Sequence, residues 1–143
     1  MTVQSPQVAV ILLNWNGLPD TLDCLQSLRH STYANRRVIV WDNGSREDPG
    51  PALAEYPEVT LLRSERNVGF AAGCDRAAEY ALAEGADFLL FLNNDTLVPP
   101  EMIACMAQTH AATANAGLIG VPHLVLNRPG ATPEFGGKWV PLT

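Results

Sequence analysis

The run over residues 88–95 constrains the fold of this chain more than any other segment. It reads Phe-Leu-Leu-Phe-Leu-Asn-Asn-Asp, so an apolar strand-like stretch ends in two amides and a carboxylate. Burying such groups without partners costs roughly 2–7 kcal/mol each, so they must emerge where the strand ends. Open α/β sheets bind their ligands at that end. The run therefore predicts a ligand site or, because Asn and Asp cap helices well, a polar turn that starts the next helix.

Strand-like and helix-like segments alternate along the chain, which predicts an α/β fold with a mostly parallel sheet between two helical layers. A helix is predicted after the first strand because leucines recur there at helical spacing, and an Ala-rich helix and one opened by Pro100 follow later. The segment after the second strand predicts a loop with one helical turn at most. The predicted strands cover residues 8–13, 38–41, 59–62, 88–92 and 118–121.

Polar clusters follow three of the predicted strands. In a parallel sheet these strand ends share one edge, so three clusters there favour a binding site over simple helix capping. The clusters are Asn14-Trp15-Asn16, Asp42-Asn43-Gly44-Ser45 and Asn93-Asn94-Asp95.

Each cluster suggests a role. Asp42 could accept a hydrogen bond from a base N–H or a ribose hydroxyl, the alternative being a turn or helix cap. Trp15 offers a face on which a base could stack, the alternative being a core aromatic. Asp95 is the best metal-ligand candidate, because Mg²⁺ or Mn²⁺ takes one or two protein carboxylates and completes its shell with phosphate and water. Asn93 and Asn94 could bond sugar hydroxyls or support that shell.

A possible anion site precedes the Ala-rich helix. Asn67 and Gly69 lie where exposed N–H groups would favour a phosphate. Nearby arginines at positions 63, 66 and 76 could neutralise it, although surface salt bridges are the commoner fate of such charges. No GxGxxG or GxxxxGKS pattern occurs, which weakens a Rossmann dinucleotide or P-loop interpretation.

Composition limits the partners and the compartment. The net charge is −6 and no basic run occurs, which argues against a nucleic-acid partner. The three cysteines are odd in number and widely spaced, which favours reduced thiols and a cytoplasmic protein. No stretch reaches the roughly 18 apolar residues of a membrane span, and peripheral contact with the inner membrane face stays open.

The ordered segments ILLNWNG, VIVWDNGS, RNVGFAAG and FLLFLNNDT resemble family 2 glycosyltransferases of the GT-A fold. The similarity is greatest to the rhamnosyltransferase-like branch that builds bacterial surface polysaccharides. It implies a UDP- or dTDP-linked sugar donor, a divalent Mg²⁺ or Mn²⁺ ion, and a saccharide or lipid-linked acceptor. The implied reaction inverts the configuration at the anomeric carbon of the sugar, because the acceptor hydroxyl attacks that carbon while the metal-held nucleoside diphosphate leaves.

The resemblance also implies residue roles. Asp42 matches the acidic residue that contacts the base, and Asp95 matches the metal-binding last position of the DxD motif, within Asn93-Asn94-Asp95. The first nucleotide-contacting loop corresponds to Leu13, Asn14 and Trp15, and the loop beneath the sugar diphosphate to Asn67 and Gly69. The sequence departs from the pattern at Asn93, which replaces an acid, and at Cys74 and Asp75, where many relatives carry Asn.

The family places its catalytic base in a second half, beyond the equivalent of Thr143. After Asp95 only Glu101 and Glu134 are carboxylates, and we assign neither as the base. We therefore expect one nucleotide-sugar-binding domain over residues 1–143, truncated after its donor-binding half and incomplete for catalysis. Its core would span about 7–121 and an irregular tail 122–143, and it would form a homodimer. The alternatives are a non-catalytic nucleotide-binding or assembly module and a nucleotidyltransferase.

Overall fold

The computed structural model describes residues 5–122. Strands and helices alternate there in the predicted order, and the segment after the second strand holds a single helical turn. The strands are β1 (Val8–Asn14), β2 (Arg36–Asp42), β3 (Val59–Arg63) and β4 (Phe88–Asn93); the helices are α1 (Leu18–Arg29), α2 (Gly50–Leu53), α3 (Phe70–Ala83) and α4 (Met102–Ala112).

The four strands form one parallel sheet in the order β3-β2-β1-β4. Its register sets Asn14 opposite Asp42, and Asp42 opposite Arg63. On the other side of β1, Leu13 lies opposite Asn93. The predicted parallel sheet is confirmed, and the carboxyl ends of its strands lie along one edge.

Helix α3 covers one face of the sheet. Its Ala77 and Ala81 pack against the β1 and β2 side chains Ala9, Ile11, Ile39 and Trp41. The approach is close at Gly73, where an added Cβ would lie 2.6 Å from Cδ1 of Leu13. Small residues on α3 therefore let the helix sit directly on the sheet, as the Ala-rich pattern predicted.

Helix α1 covers the opposite face. Strand side chains alternate between faces, so Asn14 points away from α3, and its side chain bonds Thr21 of α1. α1 also buries Cys24, Leu25 and Leu28. The sheet thus lies between helices on both faces, which confirms the three-layer prediction and explains why residues 8–13 of β1 and 38–41 of β2 are all apolar.

The predicted fifth strand is wrong. Residues 118–121 lie in irregular chain, and Leu118 is 94% exposed. An apolar run of four residues that includes Gly120 and is followed by Pro122 makes a strand only where a neighbouring strand pairs with it. Within residues 5–122 no strand pairs with it, so the apolar pattern alone was insufficient.

The chain divides into two compact units, residues 1–104 and 105–143. The first holds the sheet and α1 to α3; the second, as far as residue 122, holds the later residues of α4 and an irregular segment. One domain over residues 1–143 stays a prediction. Glu134 and most of the predicted tail lie outside the described residues. Within residues 5–122, no helix is long and apolar enough to cross a membrane.

Candidate functional site

Asp42, at the end of β2, is a fully buried carboxylate whose acceptor positions are all used. Oδ1 accepts from Nδ2 of Asn14 at 2.8 Å and from the Ser45 hydroxyl. Oδ2 accepts from the Ser45 backbone N–H at 3.3 Å and pairs with Nε of Arg63 at 3.1 Å. An ionised carboxylate offers about four such positions, so a ligand could bond Asp42 only by replacing one of these donors.

Arg63 holds the loop that follows β2. Besides Asp42, its guanidinium contacts Oδ1 of Asp48 at 2.8 Å and the carbonyl oxygen of Ser45 at 3.2 Å. The salt-bridge alternative considered for this arginine is therefore present, and so is the turn-cap alternative for Asp42, through the Ser45 N–H. The roles of Asp42 and Arg63 toward a ligand stay predictions.

A line of hydrogen bonds runs from Asp42 across β1 and α1 to the end of β4. Asn14, also buried, donates through Nδ2 to Asp42, and its Oδ1 accepts from the Thr21 hydroxyl at 3.1 Å. The same hydroxyl accepts from Nδ2 of Asn94 at 3.0 Å. The sequence interpretation missed Thr21, although a polar residue on the buried stripe of α1, between Leu18 and Leu25, was a usable signal.

A second set of bonds lies on the α3 face, around buried Asn43. Its Oδ1 accepts from the N–H of Val68 at 3.0 Å, and its Nδ2 donates to Oδ1 of Asn67 at 3.0 Å and to the carbonyl oxygen of Gly69 at 3.3 Å. Gly44 follows with φ +74°, where a Cβ would lie 2.5 Å from the carbonyl carbon of Arg66. Asn43 and Gly44 together fix the loop before α3.

That loop leaves the first turn of α3 uncapped by side chains. Gly69 is the N-cap residue with φ 87°, and no side chain bonds the helix start there. Asn67 is exposed, and its Oδ1 accepts from the Gly69 N–H at 2.8 Å. The first N–H groups of a helix need external partners, so this end can receive an anion.

Asp95 contrasts with Asp42, since it is exposed and its carboxylate has no hydrogen bond or ion pair within residues 5–122. The next helix begins at Met102, so the alternative that Asn93-Asn94-Asp95 caps a helix is wrong. In the same described part no three His, Cys, Asp or Glu side chains group to hold a metal. A cation at Asp95 would thus need oxygens from a ligand or water.

The cysteines beside the site are poor nucleophiles. Burial raises the pKa of the Cys24 thiol to about 11; a backbone hydrogen bond from Thr96 opposes this and the charge of Asp95 adds to it. Burial, with the charge of Asp75, also raises the pKa of Cys74. All three cysteines of the chain are free, and these two stay neutral near pH 7, so neither suits covalent catalysis.

Trp15 is 55% exposed, so the core-aromatic alternative for it is wrong. Its chain neighbours Asn14 and Asn16 line a cleft together with Ser45 and Arg46. Asn16 adopts φ 55° and accepts the Arg46 N–H at 2.9 Å, which ties the β1 and β2 loops together.

The structure connects some of the predicted residues and leaves others apart. Asn14 touches Asp42 directly and reaches Asn94 through Thr21, whereas Asn67 and Gly69 are joined through Asn43. The side chains of Trp15, Asn93 and Asp95 are exposed. Leu13 is half-buried toward α3.

Comparison with known sequences finds a matching family model and related proteins. The sequence model described as Glycosyl transferase family 2 matches residues 9–131. An uncharacterised glycosyltransferase of Haemophilus influenzae is 28% identical over 115 residues, which cover 80% of this chain and 38% of that protein. The chain spans 31–38% of the length of the curated relatives it matches.

Two solved structures share the fold. The mannosyltransferase PcManGT from Pyrobaculum calidifontis, in complex with GDP-Man and Mn²⁺, aligns with a TM-score of 0.64 at 22% identity over 71% of this chain and 31% of its own. S. aureus TarS 1–349, in complex with UDP-GlcNAc, aligns with a TM-score of 0.67 at 17% identity over 85% of this chain and 41% of its own. At these identities the likeness concerns the fold alone.

Proposed function

Because the chain belongs to glycosyl transferase family 2 and has a GT-A fold, we propose that it binds a nucleoside-diphosphate sugar together with Mg²⁺ or Mn²⁺ at Asp95. One observation carries the proposal. Asp95 keeps its carboxylate exposed and unpaired within the described residues, at the sheet edge where β1 and β2 also end. The names of the two solved relatives, with GDP-Man and Mn²⁺ and with UDP-GlcNAc, support this choice of ligand.

The residues around Asp95 fit a hard cation that the protein shares with its ligand. Asp95 would supply one carboxylate, and the Asn93 side chain, two residues earlier, is also exposed. Mg²⁺ and Mn²⁺ are commonly held by one or two carboxylates plus phosphate oxygens and water. When bound, such an ion supplies positive charge that stabilises a leaving diphosphate.

Other predicted residues would contact different parts of the sugar nucleotide. Trp15 is accessible for stacking on a base, and the uncapped start of α3 at Gly69, beside Asn67, is suited to the diphosphate. Asn14 is buried and acts by holding Asp42. A base could reach Asp42 only if the Ser45 hydroxyl or another donor gave up its position there.

We further propose that the protein of which these residues are part transfers a rhamnosyl or other hexosyl group, with inversion, to a saccharide or lipid-linked acceptor in surface polysaccharide synthesis. Free cysteines favour a reducing, cytoplasmic setting for this reaction, including the inner membrane face. Donor binding is the step we assign to residues 5–122. Among these residues Glu101 is exposed just before α4, where it complements the helix dipole, and no group there is assigned as the base.

A homodimer is the assembly we propose. β4 is an edge strand of the described sheet, and its Phe91 is 50% exposed. Exposed edges and apolar side chains favour association between chains. Light scattering at high micromolar concentration should give twice the chain mass of 15.4 kDa, and a monomer would contradict this assembly.

Calorimetric titration of the wild-type chain with UDP, dTDP and GDP, each with and without Mn²⁺, tests the function. We expect one of these nucleotides to bind about tenfold or more tightly when Mn²⁺ is present, with uridine or another plain nucleoside as the metal-insensitive control. No binding of any nucleoside diphosphate, with or without metal, would contradict the proposal. Release of pyrophosphate from a nucleoside triphosphate and a sugar phosphate would favour the nucleotidyltransferase alternative.

A further inference from the structure

Thr21 links the two ends of the site. Its hydroxyl is fully buried, lies 3.1 Å from Oδ1 of Asn14 and accepts from Nδ2 of Asn94 at 3.0 Å. Asn94 belongs to the turn after β4, whereas Asn14 ends β1 and holds Asp42. The Thr21 hydroxyl therefore connects the turn that carries the exposed Asp95 with the network around the buried Asp42.

The hydrogen bonds of this line share one direction. Asn94 donates to Thr21, and Asn14 donates to the Asp42 carboxylate. Between them, the one hydrogen of the Thr21 hydroxyl is shared by Oδ1 of Asn14 and the Gly17 carbonyl oxygen. A chain of donors that ends on a charge is polarised along its length, which strengthens each bond. The position of Asn94 is thus tied to the charge of Asp42 through two side chains, Thr21 and Asn14.

Gly17 makes room for this contact. A Cβ at that position would lie 3.0 Å from Nδ2 of Asn94, and the Gly17 carbonyl oxygen lies 3.4 Å from the same atom. The Asn94 amide consequently fits between the Thr21 hydroxyl and the backbone of Gly17, which has no side chain. Asp95 follows directly in the chain, and within the described residues its carboxylate has no hydrogen bond or ion pair to hold it, so the bonds of Asn94 help to set its position.

Thr21 also makes a local contact at the start of its own helix. Its hydroxyl lies 3.0 Å from the carbonyl oxygen of Gly17, four residues earlier, as many helical threonines do. A residue with that role alone would affect the stability of the fold without any specific effect on metal binding. The bond from Asn94 is the contact that this local role does not explain.

We propose that Thr21 is a positioning residue, which sets Asp95 for the divalent cation by holding Asn94 and so couples cation binding to the buried Asp42 network. This inference rests on the proposed function. Partners that orient a metal ligand commonly change metal affinity by about 10–100-fold when they are removed. The hydroxyl of Thr21 acts two steps away from the cation, so we expect an effect near the lower end of that range.

The test compares Thr21→Val with Thr21→Ser, using Mn²⁺ and whichever of UDP, dTDP and GDP the wild-type chain binds with metal dependence. In Thr21→Val, the Mn²⁺-dependent gain in nucleotide affinity should fall about tenfold, while affinity without metal stays within about twofold. Thr21→Ser keeps the hydroxyl and should keep the gain. In ligand-free NMR spectra, the side-chain amide signals of Asn94 should shift in Thr21→Val and much less in Thr21→Ser.

Gly17→Ala provides a second route if Thr21→Val folds poorly, because its Cβ would push the Asn94 amide away by a few tenths of an ångström while the hydroxyl remains. Its φ of −121° lies outside the left-handed region, and we expect a selective but smaller loss of the Mn²⁺ gain. Retention of the gain in the folded variants, or an equal loss of affinity with and without metal, would overturn the role of Thr21. Absence of any Mn²⁺ gain in the wild-type chain would instead overturn the proposed function itself.

Discussion

Two carboxylates at one edge of the sheet, Asp42 after β2 and Asp95 after β4, have opposite surroundings. Asp42 is 0% exposed and is bonded by Asn14, Ser45 and Arg63. Asp95 is exposed and has no partner among the described residues. The protein itself uses the whole acceptor capacity of the first and leaves that of the second for a ligand.

The two carboxylates therefore have different roles at the edge of the sheet: Asp42 holds loops in place, and Asp95 is left for a ligand. The Asp42 end fixes the shape of three loops, because its network and that of Asn43 tie together residues that follow β1, β2 and β3. The exposed carboxylate of Asp95 bonds to no loop within the described residues, so it can bind a cation. Substitution at Asp42 should therefore change stability first, and substitution at Asp95 should change binding alone.

Asp42→Ala should give the largest loss of stability. It leaves the buried donors of Asn14 and Ser45 without an acceptor, so we expect the free energy of unfolding to fall by about 2–4 kcal/mol. Asp48→Ala is the matched control, because Asp48 pairs with the same Arg63 but is 59% exposed, and it should cost at most about 1 kcal/mol. Urea denaturation measures both; similar losses would remove the distinction between a buried and an exposed partner.

The buried thiol of Cys24 should make the stability of the fold depend on pH. Its thiol pKa is about 11 in the folded chain, above the value of an unfolded cysteine, near 8.5. Between these values the unfolded chain loses the thiol proton and the folded chain keeps it, so stability should be complete below about pH 8.5 and fall as the pH rises toward 11. Measured by denaturation midpoints, the stability of wild type should fall across this range relative to that of Cys24→Ala; parallel curves would contradict burial of the thiol.

Trp15→Ala should change nucleotide binding with little change in folding. Loss of a stacking surface typically costs about 1–3 kcal/mol per base, so we expect affinity for the nucleoside diphosphate to fall about tenfold with or without metal. Leu82→Ala is the control, since Leu82 is equally exposed, at 56%, near the far end of α3. Equal affinities of the Trp15 and Leu82 variants would place the base elsewhere.

The fold was predictable as far as local apolar patterns determine it. β1 to β4 and α1, α3 and α4 follow from apolar runs and helical spacing in the sequence. The segment 118–121 has an equally apolar pattern and forms no strand. Strand formation there depends on a partner strand, and nothing within the segment indicates whether one is present.

The site was predictable in position but not in its connections. Parallel strands bring their carboxyl ends to one edge, so the grouping of Asn14, Asp42 and Asp95 follows from topology. The sequence did not indicate that Asp42 would be fully occupied by protein donors or that Thr21 would contact Asn94, 73 positions away. Such contacts depend on the packing of α1 on the sheet, which residue types alone do not specify.

The most direct measurement of the central claim is the affinity of Asp95→Ala for the nucleoside diphosphate, with and without Mn²⁺, beside the wild-type chain. We predict that the variant loses the whole Mn²⁺-dependent gain, keeps its metal-free affinity, and unfolds within about 0.5 kcal/mol of wild type, because no described contact of the carboxylate is lost. An Mn²⁺-dependent gain of wild-type size in Asp95→Ala would show that the cation does not bind at Asp95.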